Sequence, residues 1–436
     1  SFHTPSLMKA ENKTLAVQAP LTEKDMDESI SSWKKLSVES LIPGLEAGIT
    51  TTTSQPGSPC NAYLLHILHR CKRERNLDLA LRLHMYMCNH GYEIQPALGN
   101  HLILMLLEVK RILDARYIFD SLPIPDEYSW SSLIVGYVKC GQPKDALILY
   151  GRMQDESHAC PCARTFAALF KACTKVKDLE MGLKLHKKVV ENGWLEKSLF
   201  IGSSLVDMYA KCNYLEKAQE VFDNLPARDV VLWNALIAGY VNQDRSSKAL
   251  EYFEQMQQEG IVPNAITYVF TMKACANVGD MQKGEKLHVE VAGQNFLGRH
   301  VVVGNTLVNM YAKCGSLDKA QEVFDHLSVR DVVSWNALIA GYVKLDHGKE
   351  ALDCFERMQH EGIPPNLATF VCILKSCGSI AAIHKGKEIH NKIVSLGLLE
   401  KNIILGTALV DMYAKCGDLL KAQHVHEQLP VRDTIS

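Results

Sequence analysis

The chain has 436 residues, 47% of them hydrophobic and 22% charged, enough apolar content to build a core and too much for intrinsic disorder. Lys plus Arg (47) nearly balance Asp plus Glu (49), so the net charge of -2 excludes a histone-like polycation and confines any basic surface to local patches. No apolar run approaches the roughly 18 residues of a membrane span; Leu102 to Leu107 stops at Glu108, and no membrane partner is expected.

In chain order, residues 1–59 come first and read as a flexible lead-in. TTTTSQPGSP, Thr50 to Pro59, is rich in turn formers, and Glu11, Glu23, Asp25, Asp27 and Glu28 are too acidic for a clean transit peptide. A chain without an initiator Met is read as processed or trimmed. From Cys60 onward a long period organises the sequence: Cys71, Cys173, Cys275 and Cys377 recur every 102 residues, as do Cys212, Cys314 and Cys416, His84, His186, His288 and His390, and Tyr209, Tyr311 and Tyr413. Trp233 and Trp335 keep the step, and a one-residue insertion between Met153 and Cys162 displaces Trp130. Cysteines that repeat like this are expected to be buried free thiols in a reducing compartment, not a disulfide framework, and the periodic His residues core members.

Each 102-residue period holds three weaker copies of one unit, at 332–366, 367–402 and 403–433. Carried backwards, the frame starts further units at 301, 265, 230, 199, 163, 127, 96 and 60, giving eleven across 60–433. Tandem units of this length predict a solenoid in which each unit buries its faces against its neighbours. Within the unit from Val301, Leu307, Met310, Tyr311 and Cys314 follow a helical period, and Ala320, Val323, Phe324 and Leu327 do so again, predicting two helices. Gly315 supplies a stop between them and Ser316 a cap for the second. No two-residue alternation competes, so the expected class is all-α, a right-handed superhelix with a concave groove. Residues 434–436 repeat the register of a further unit, and the chain is read as a fragment.

Three strings carry a resemblance: VVSWNALIAGYVKLDHGKEALDCFERMQHEGIPPN, ATFVCILKSCGSIAAIHKGKEIH and GTALVDMYAKCGDLLKAQ. They resemble the P, L and S units of plant pentatricopeptide repeat proteins of the PLS subfamily, and the eleven units then run L-S-P-L-S-P-L-S-P-L-S. The resemblance implies binding of single-stranded organellar RNA, one nucleotide per unit with the N-terminal end at the 5′ side. It further implies mitochondrial, or alternatively chloroplast, location and a role in RNA processing: C-to-U editing or other RNA modification, or splicing, with editing or splicing factors as further partners.

The resemblance places base reading at the fifth and last residues of a unit. A terminal Asp accepts from the ring N–H of U or G, and a terminal Asn donates to the ring nitrogen of C or A. Asn100 with Asp126 and Asn305 with Asp331 are then expected to favour U, and Asn234 with Asn264 and Asn336 with Asn366 a pyrimidine. Thr407 with Asp433 and, more weakly, Ser203 with Asp229 favour G. Ser131 with Cys162 departs from the pattern. L-type units present Leu64, Ala167, Val269 and Val371, which cannot read a base edge, and are expected to be spacers. Taken singly, each Asn or Asp also reads as a helix cap. Lys139, Lys211, Lys313, Lys344 and Lys415 share a helix-end offset, where the resemblance implies phosphate contact and a helix dipole would equally favour a cation; Asn242 and Glu108 break that series.

Enzyme signatures are absent. His288-Val289-Glu290 matches half of a zinc-deaminase signature, but Pro59-Cys60 and Pro161-Cys162 lack the second Cys, so no metal and no cofactor are expected and any deaminase domain would lie beyond residue 436. The alternative is a peptide-binding helical scaffold resembling tetratricopeptide arrays; unit lengths of 35, 36 and 31 argue against their uniform 34.

Overall fold

A computed structural model describes residues 59–74, 77–89, 91–92, 94–156, 160–399 and 402–429. Of the sequence expectations, the lead-in before Pro59, Asp433 and residues 434–436 lie outside the described residues. Those described contain 24 α-helices and no strand. They divide into two compact units, one up to residue 172 and one from residue 173 on.

In the second compact unit, first helices run over Leu199–Lys211, Val230–Asn242, Ala265–Val278, Val301–Lys313, Val332–Lys344, Leu367–Ser379 and Ile403–Lys415, each followed by a second helix. Each first helix packs on its own second helix and on the next first helix, so the first helices form one layer, the second helices another, and the core lies between. That core holds the periodic aromatics: Trp233, Trp335, Tyr209, Tyr311 and Tyr413 are all buried. The first compact unit repeats the pattern with first helices Pro59–Glu74, Pro96–Glu108 and Glu127–Lys139, and Trp130 in its core.

Trp233 and Trp335 stand edge-on to Phe222 and Phe324, with ring centroids 4.7 and 4.5 Å apart. Arg228 and Arg330 lie over those same phenylalanines and donate to the carbonyls of Phe222 and Asp223, and of Phe324 and Asp325, covering the exposed ends of the preceding second helices.

Where a Trp-bearing first helix crosses the one before it, glycine sets the spacing. A Cβ on Gly239 would lie 2.6 Å from Ala210 Cβ, and one on Gly341 would lie 2.6 Å from Ala312 Cβ. The MYA and AGY segments of successive units are therefore complementary surfaces.

Between the two helices of every unit from Pro96 onward, the fifteenth residue is left-handed. Glycine fills it at Gly141, Gly279, Gly315 and Gly417, but Lys110, Lys177, Asn213, Asp244, Asp346 and Ala381 adopt the same φ without it. After Val301–Lys313 the turn is a Schellman motif, Gly315 N–H donating to Ala312 and Ser316 N–H to Tyr311.

Four sequence readings need correction. Ser316 occupies the N-cap position but makes no side-chain cap bond; its backbone is held by the Schellman turn at ψ 77, whereas Asp178, Asp280 and Asp418 in comparable conformations cap with a longer carboxylate. Leu327 lies beyond its helix, which ends at Asp325, and is half-buried. Units from Ala163 and Ala265 add a third, one-turn helix, Trp194–Lys197 and Phe296–Arg299, in the segment that leads to the next unit.

The last correction concerns the periodic Cys and His. Cys71, Cys173, Cys275 and Cys377 are buried, but Cys212, Cys314 and Cys416 are half-buried, the last two with thiols against the carbonyls of Cys275 and Cys377. The periodic His residues are half-buried too. His186, His288 and His390 bond through Nδ1 to the hydroxyls of Tyr209, Tyr311 and Tyr413 at 2.8 to 2.9 Å. No helix among the described residues is long and apolar enough to cross a membrane, and no group of three metal-ligating side chains occurs among them.

Candidate nucleic-acid interface

The last residue of one unit is the N-cap of the next unit's first helix. Asp126, Asp229, Asn264, Asp331 and Asn366 have extended backbone, and each accepts through Oδ1 from a backbone N–H two or three residues on. Helix capping therefore falls on the side chain at which the sequence resemblance places base reading, and the cap constrains what remains for a ligand.

At Asn264, Oδ1 accepts from Ile266 N–H at 3.0 Å and Thr267 N–H at 3.1 Å. Because the cap demands an acceptor, the amide must turn Nδ2 away from the helix, which also assigns the amide orientation. Asn366, held by Thr369 N–H at 3.1 Å, is oriented alike. At Asp331 the cap uses Oδ1, with Val333 and Ser334 N–H at 3.0 and 2.9 Å, and the atom left over is Oδ2, an acceptor. One backbone geometry thus presents a donor where the residue is Asn and an acceptor where it is Asp.

The fifth residue of the preceding unit reaches this cap in four units. Asn305 Nδ2 donates to Asp331 Oδ1 and Oδ2 at 2.9 and 3.1 Å, and Asn100 to Asp126 at 3.3 and 3.2 Å. Asn234 Nδ2 donates to Asn264 Oδ1 at 3.1 Å, and Asn336 to Asn366 at 3.0 Å. Asn100, Asn234 and Asn305 are buried, with 6 or 7% of their surface exposed.

A residue class not singled out in the sequence completes each cluster: the third residue of the next helix. Thr267 and Thr369 donate to Asn234 Oδ1 and Asn336 Oδ1 at 2.7 Å, and Ser129 donates to Asn100 Oδ1 at 2.6 Å. The capping-box spacing was the available signal. Ser334 instead donates to the carbonyl of Asp331, which leaves buried Asn305 Oδ1 without a partner among the described residues.

Burial tends to raise the pKa of Asp126, but hydrogen bonds from Ser129 and Asn100 outweigh it and hold the carboxyl below its ordinary value. It is ionised, an acceptor only, at neutral pH.

The hydroxyl-bearing fifth positions behave differently. Ser203 turns back to the carbonyl of Leu199 at 2.9 Å and Thr407 to that of Ile403 at 3.1 Å. Ser203 makes no bond to Asp229, since its hydroxyl lacks the length of an Asn amide; Asp433 lies outside the described residues. Ser131 meets Cys162 only through a long thiol contact of 3.9 Å. Cys162 directly precedes the helix Ala163–Val176, and its thiol lies 3.2 Å from the Thr165 hydroxyl. A cleft of about 230 Å³ opens beside Ser131 and Cys162, with Tyr128, Lys139 and Arg164 on its walls.

Next to these polar positions runs a row of exposed apolar side chains, the second residues of the units. Tyr128 belongs to the first compact unit; in the second, Phe200, Val231, Ile266, Val302, Val333 and Ile404 are all at least half exposed. Water-facing apolar groups at one helical offset in successive units suit planar, stacked ligands better than solvent.

The five lysines all end first helices. Lys211 and Lys415 pair with Asp207 and Asp411 one turn back, at 2.7 and 2.8 Å. Lys139 lies 3.6 Å from Glu108, and Lys344 donates to the carbonyl of Lys313 at 3.0 Å. Lys313 has no carboxylate partner among the described residues.

Sequence comparison matches the PPR repeat family at residues 228–277 and 330–379, and the PPR repeat at residues 128–158, 164–194, 203–230 and 305–332. Two pentatricopeptide repeat-containing proteins of Arabidopsis thaliana whose names place them in the mitochondrion are 30% and 33% identical. They match over 85% and 86% of this chain, and 42% and 66% of their own length. A third, named chloroplastic, is 31% identical over 85% of this chain and 45% of its own. The chain thus spans less than half the length of two of these relatives. Among solved structures, the pentatricopeptide repeat protein PPR10 in complex with an 18-nucleotide psaJ RNA element has a TM-score of 0.63 at 18% identity, covering 86% of this chain and 58% of that one. PPR10 from maize has a TM-score of 0.61 at 16% identity, over 92% and 61%. These two matches show the solenoid fold.

Proposed function

The chain is a pentatricopeptide repeat protein, and from that premise we propose that it binds single-stranded RNA, one nucleotide per unit, and acts by binding rather than catalysis. The observation that carries this reading is the cap geometry. The N-cap bonds pin one oxygen of Asn264 or Asp331, so the atom left for a base is a donor in one case and an acceptor in the other. Such a position distinguishes the ring nitrogen of C or A from the ring N–H of U or G. The exposed second-position side chains supply stacking surface on either side.

The PLS order of the units gives the register, from the 5′ end at the unit from Cys60, of any base, U, any, any, G or A, C or U, any, U, C or U, any, G. The relatives named mitochondrial and chloroplastic support an organellar setting. There the chain specifies sites of RNA processing, most simply C-to-U editing or another modification, with splicing as the second role.

The test is competition among RNAs varied at the eighth nucleotide of this register. Wild-type protein should prefer U there, and Asp331→Asn should move the preference toward C, with a wrong base costing about 1 to 3 kcal/mol as in other base-edge readers. A uniform loss of affinity, with the preferred base unchanged, would refute the reading at this unit.

A further inference from the structure

The L-type units leave a question. Val269 and Val371 occupy their fifth positions, so these units lack the polar atom that a base edge requires, yet each places a lysine one turn further along the same helix face. Lys273 is four residues beyond Val269 and seven beyond Ile266, and Lys375 is four beyond Val371, which puts both on the side that carries the second and fifth positions. Both are exposed. Lys171 stands at the same offset from Ala167 in the first compact unit, also exposed.

The ordinary reasons for a helical lysine do not apply to Lys273 and Lys375. Each lies in mid-helix, away from the C-terminal carbonyls whose partial charge attracts a cation. Neither has a carboxylate three or four residues away: the neighbours are Val269, Phe270, Ala276 and Asn277 in one case, and Val371, Cys372, Gly378 and Ser379 in the other. The same offset on the flanking first helices holds Ala238 and Asn309 around Lys273, and Ala340 and Asp411 around Lys375. Asp411 is bonded to Lys415. Lys273 rests over the Phe270 ring at 5.4 Å, a contact that keeps its charge, and neither lysine forms an ion pair among the described residues. In units whose fifth residue is Ser, Asn or Thr the equivalent positions are neutral or acidic: Asp207, Ala238, Asn309, Ala340 and Asp411.

We infer that three of the four L-type units grip the phosphodiester backbone of the RNA, through Lys273 and Lys375 and, in the first compact unit, through Lys171, while leaving the base unread; the unit from Cys60 carries buried Leu68 at this offset and takes no part. This inference rests on the RNA-binding reading above and assigns work to units otherwise regarded as spacers. An uncompensated ammonium beside an apolar fifth position provides affinity without sequence preference, so reading and anchoring alternate along the chain.

The test compares the whole chain with its K273Q/K375Q and K273R/K375R variants, on one RNA matching the register and one mismatched at the eighth nucleotide, across a potassium chloride series. Releasing counterions from two phosphates of a single strand is worth about 1.4 in the slope of log affinity against log salt. The Gln variant should therefore show a slope shallower by about that amount and bind both RNAs about 25-fold more weakly at 0.1 M salt. The matched-to-mismatched ratio should stay constant, and the Arg variant should retain slope and affinity. Unchanged slope and affinity in the Gln variant, with wild-type binding intact, would overturn the backbone grip and leave the RNA reading standing. So would a loss confined to one of the two RNAs, which would make the lysines base readers. Failure of wild-type protein to bind either RNA would remove the premise itself. Should the Gln variant lose its helical circular dichroism, the single variants K273Q and K375Q, each expected to lower the slope by about 0.7, decide the matter.

Discussion

Asp331 caps a helix and, under the proposed function, also reads a base; substituting it by Ala and by Asn should separate the two. Ala removes the acceptor for the N–H groups of Val333 and Ser334, and loss of such a cap costs about 1 kcal/mol. It also strips Asn305, only 6% exposed, of both bonds its Nδ2 makes, and a buried donor left unsatisfied costs at least about 1 kcal/mol more. The sum is about 2 kcal/mol. Asn keeps Oδ1 for the cap and for Asn305, an arrangement the protein already contains at Asn234 and Asn264, so its cost should stay within about 0.5 kcal/mol. Because a solenoid unfolds locally, the measurement is amide hydrogen exchange at Val333 and Ser334. Asp331→Ala should speed exchange there about 30-fold, the equivalent of 2 kcal/mol, while Asp331→Asn leaves it near the wild-type rate and changes only the preferred base. Equal acceleration in both variants would show that the carboxylate charge, not the cap acceptor, holds this helix, and the argument that capping orients the reading atom would fall.

Gly341→Ala should destabilise by about 1 to 3 kcal/mol despite the better helix propensity of Ala, because the new methyl would sit 2.6 Å from Ala312 Cβ and 3.4 Å from its Cα; a thermal melt at or above the wild-type midpoint would show that the two helices part easily. Ala381→Gly should stabilise by about 0.5 to 1 kcal/mol, since φ is +51° there and glycine fills the same turn at Gly279, Gly315 and Gly417; an unchanged denaturation midpoint would count against it. Burial, helped by Lys217 beside His186 and by Lys421 and His424 beside His390, holds the pKa values of His186, His288 and His390 below the ordinary one. The unfolded chain then takes up protons first, so the stability these residues contribute is present above about pH 6.5 and lost as pH falls through and below it. The melting midpoint should drop between pH 7.5 and 5.5, and converting the three residues to Gln should flatten that drop; a pH-independent midpoint in the wild-type protein would contradict this.

Periodicity alone carried the repeat and the class. A 102-residue recurrence of Cys, His and Tyr, with apolar residues at helical spacing between glycine stops, leaves stacked helices as the way to bury Trp233, Trp335 and Tyr311. It also placed Asn305 and Asp331 at matching offsets, because offsets are a property of the chain. The rest came from how the helices pack. A left-handed residue at Lys110, Asp346 or Ala381 carries no glycine to announce it, since the packing of two helices imposes that turn whatever residue occupies it. The failure of Ser316 to cap comes from a hydroxyl too short for that turn, since Asp178, Asp280 and Asp418 cap at similar ψ with a longer carboxylate. The bonds from Asn234 to Asn264 and from Thr267 back to Asn234 join residues 30 and 33 apart, while Ser203, in an equivalent slot, turns to its own helix and leaves Asp229 with its cap bond to Leu232. Whether a side chain bridges, caps or faces water depends on distances between units, and those exist only once the helices have packed.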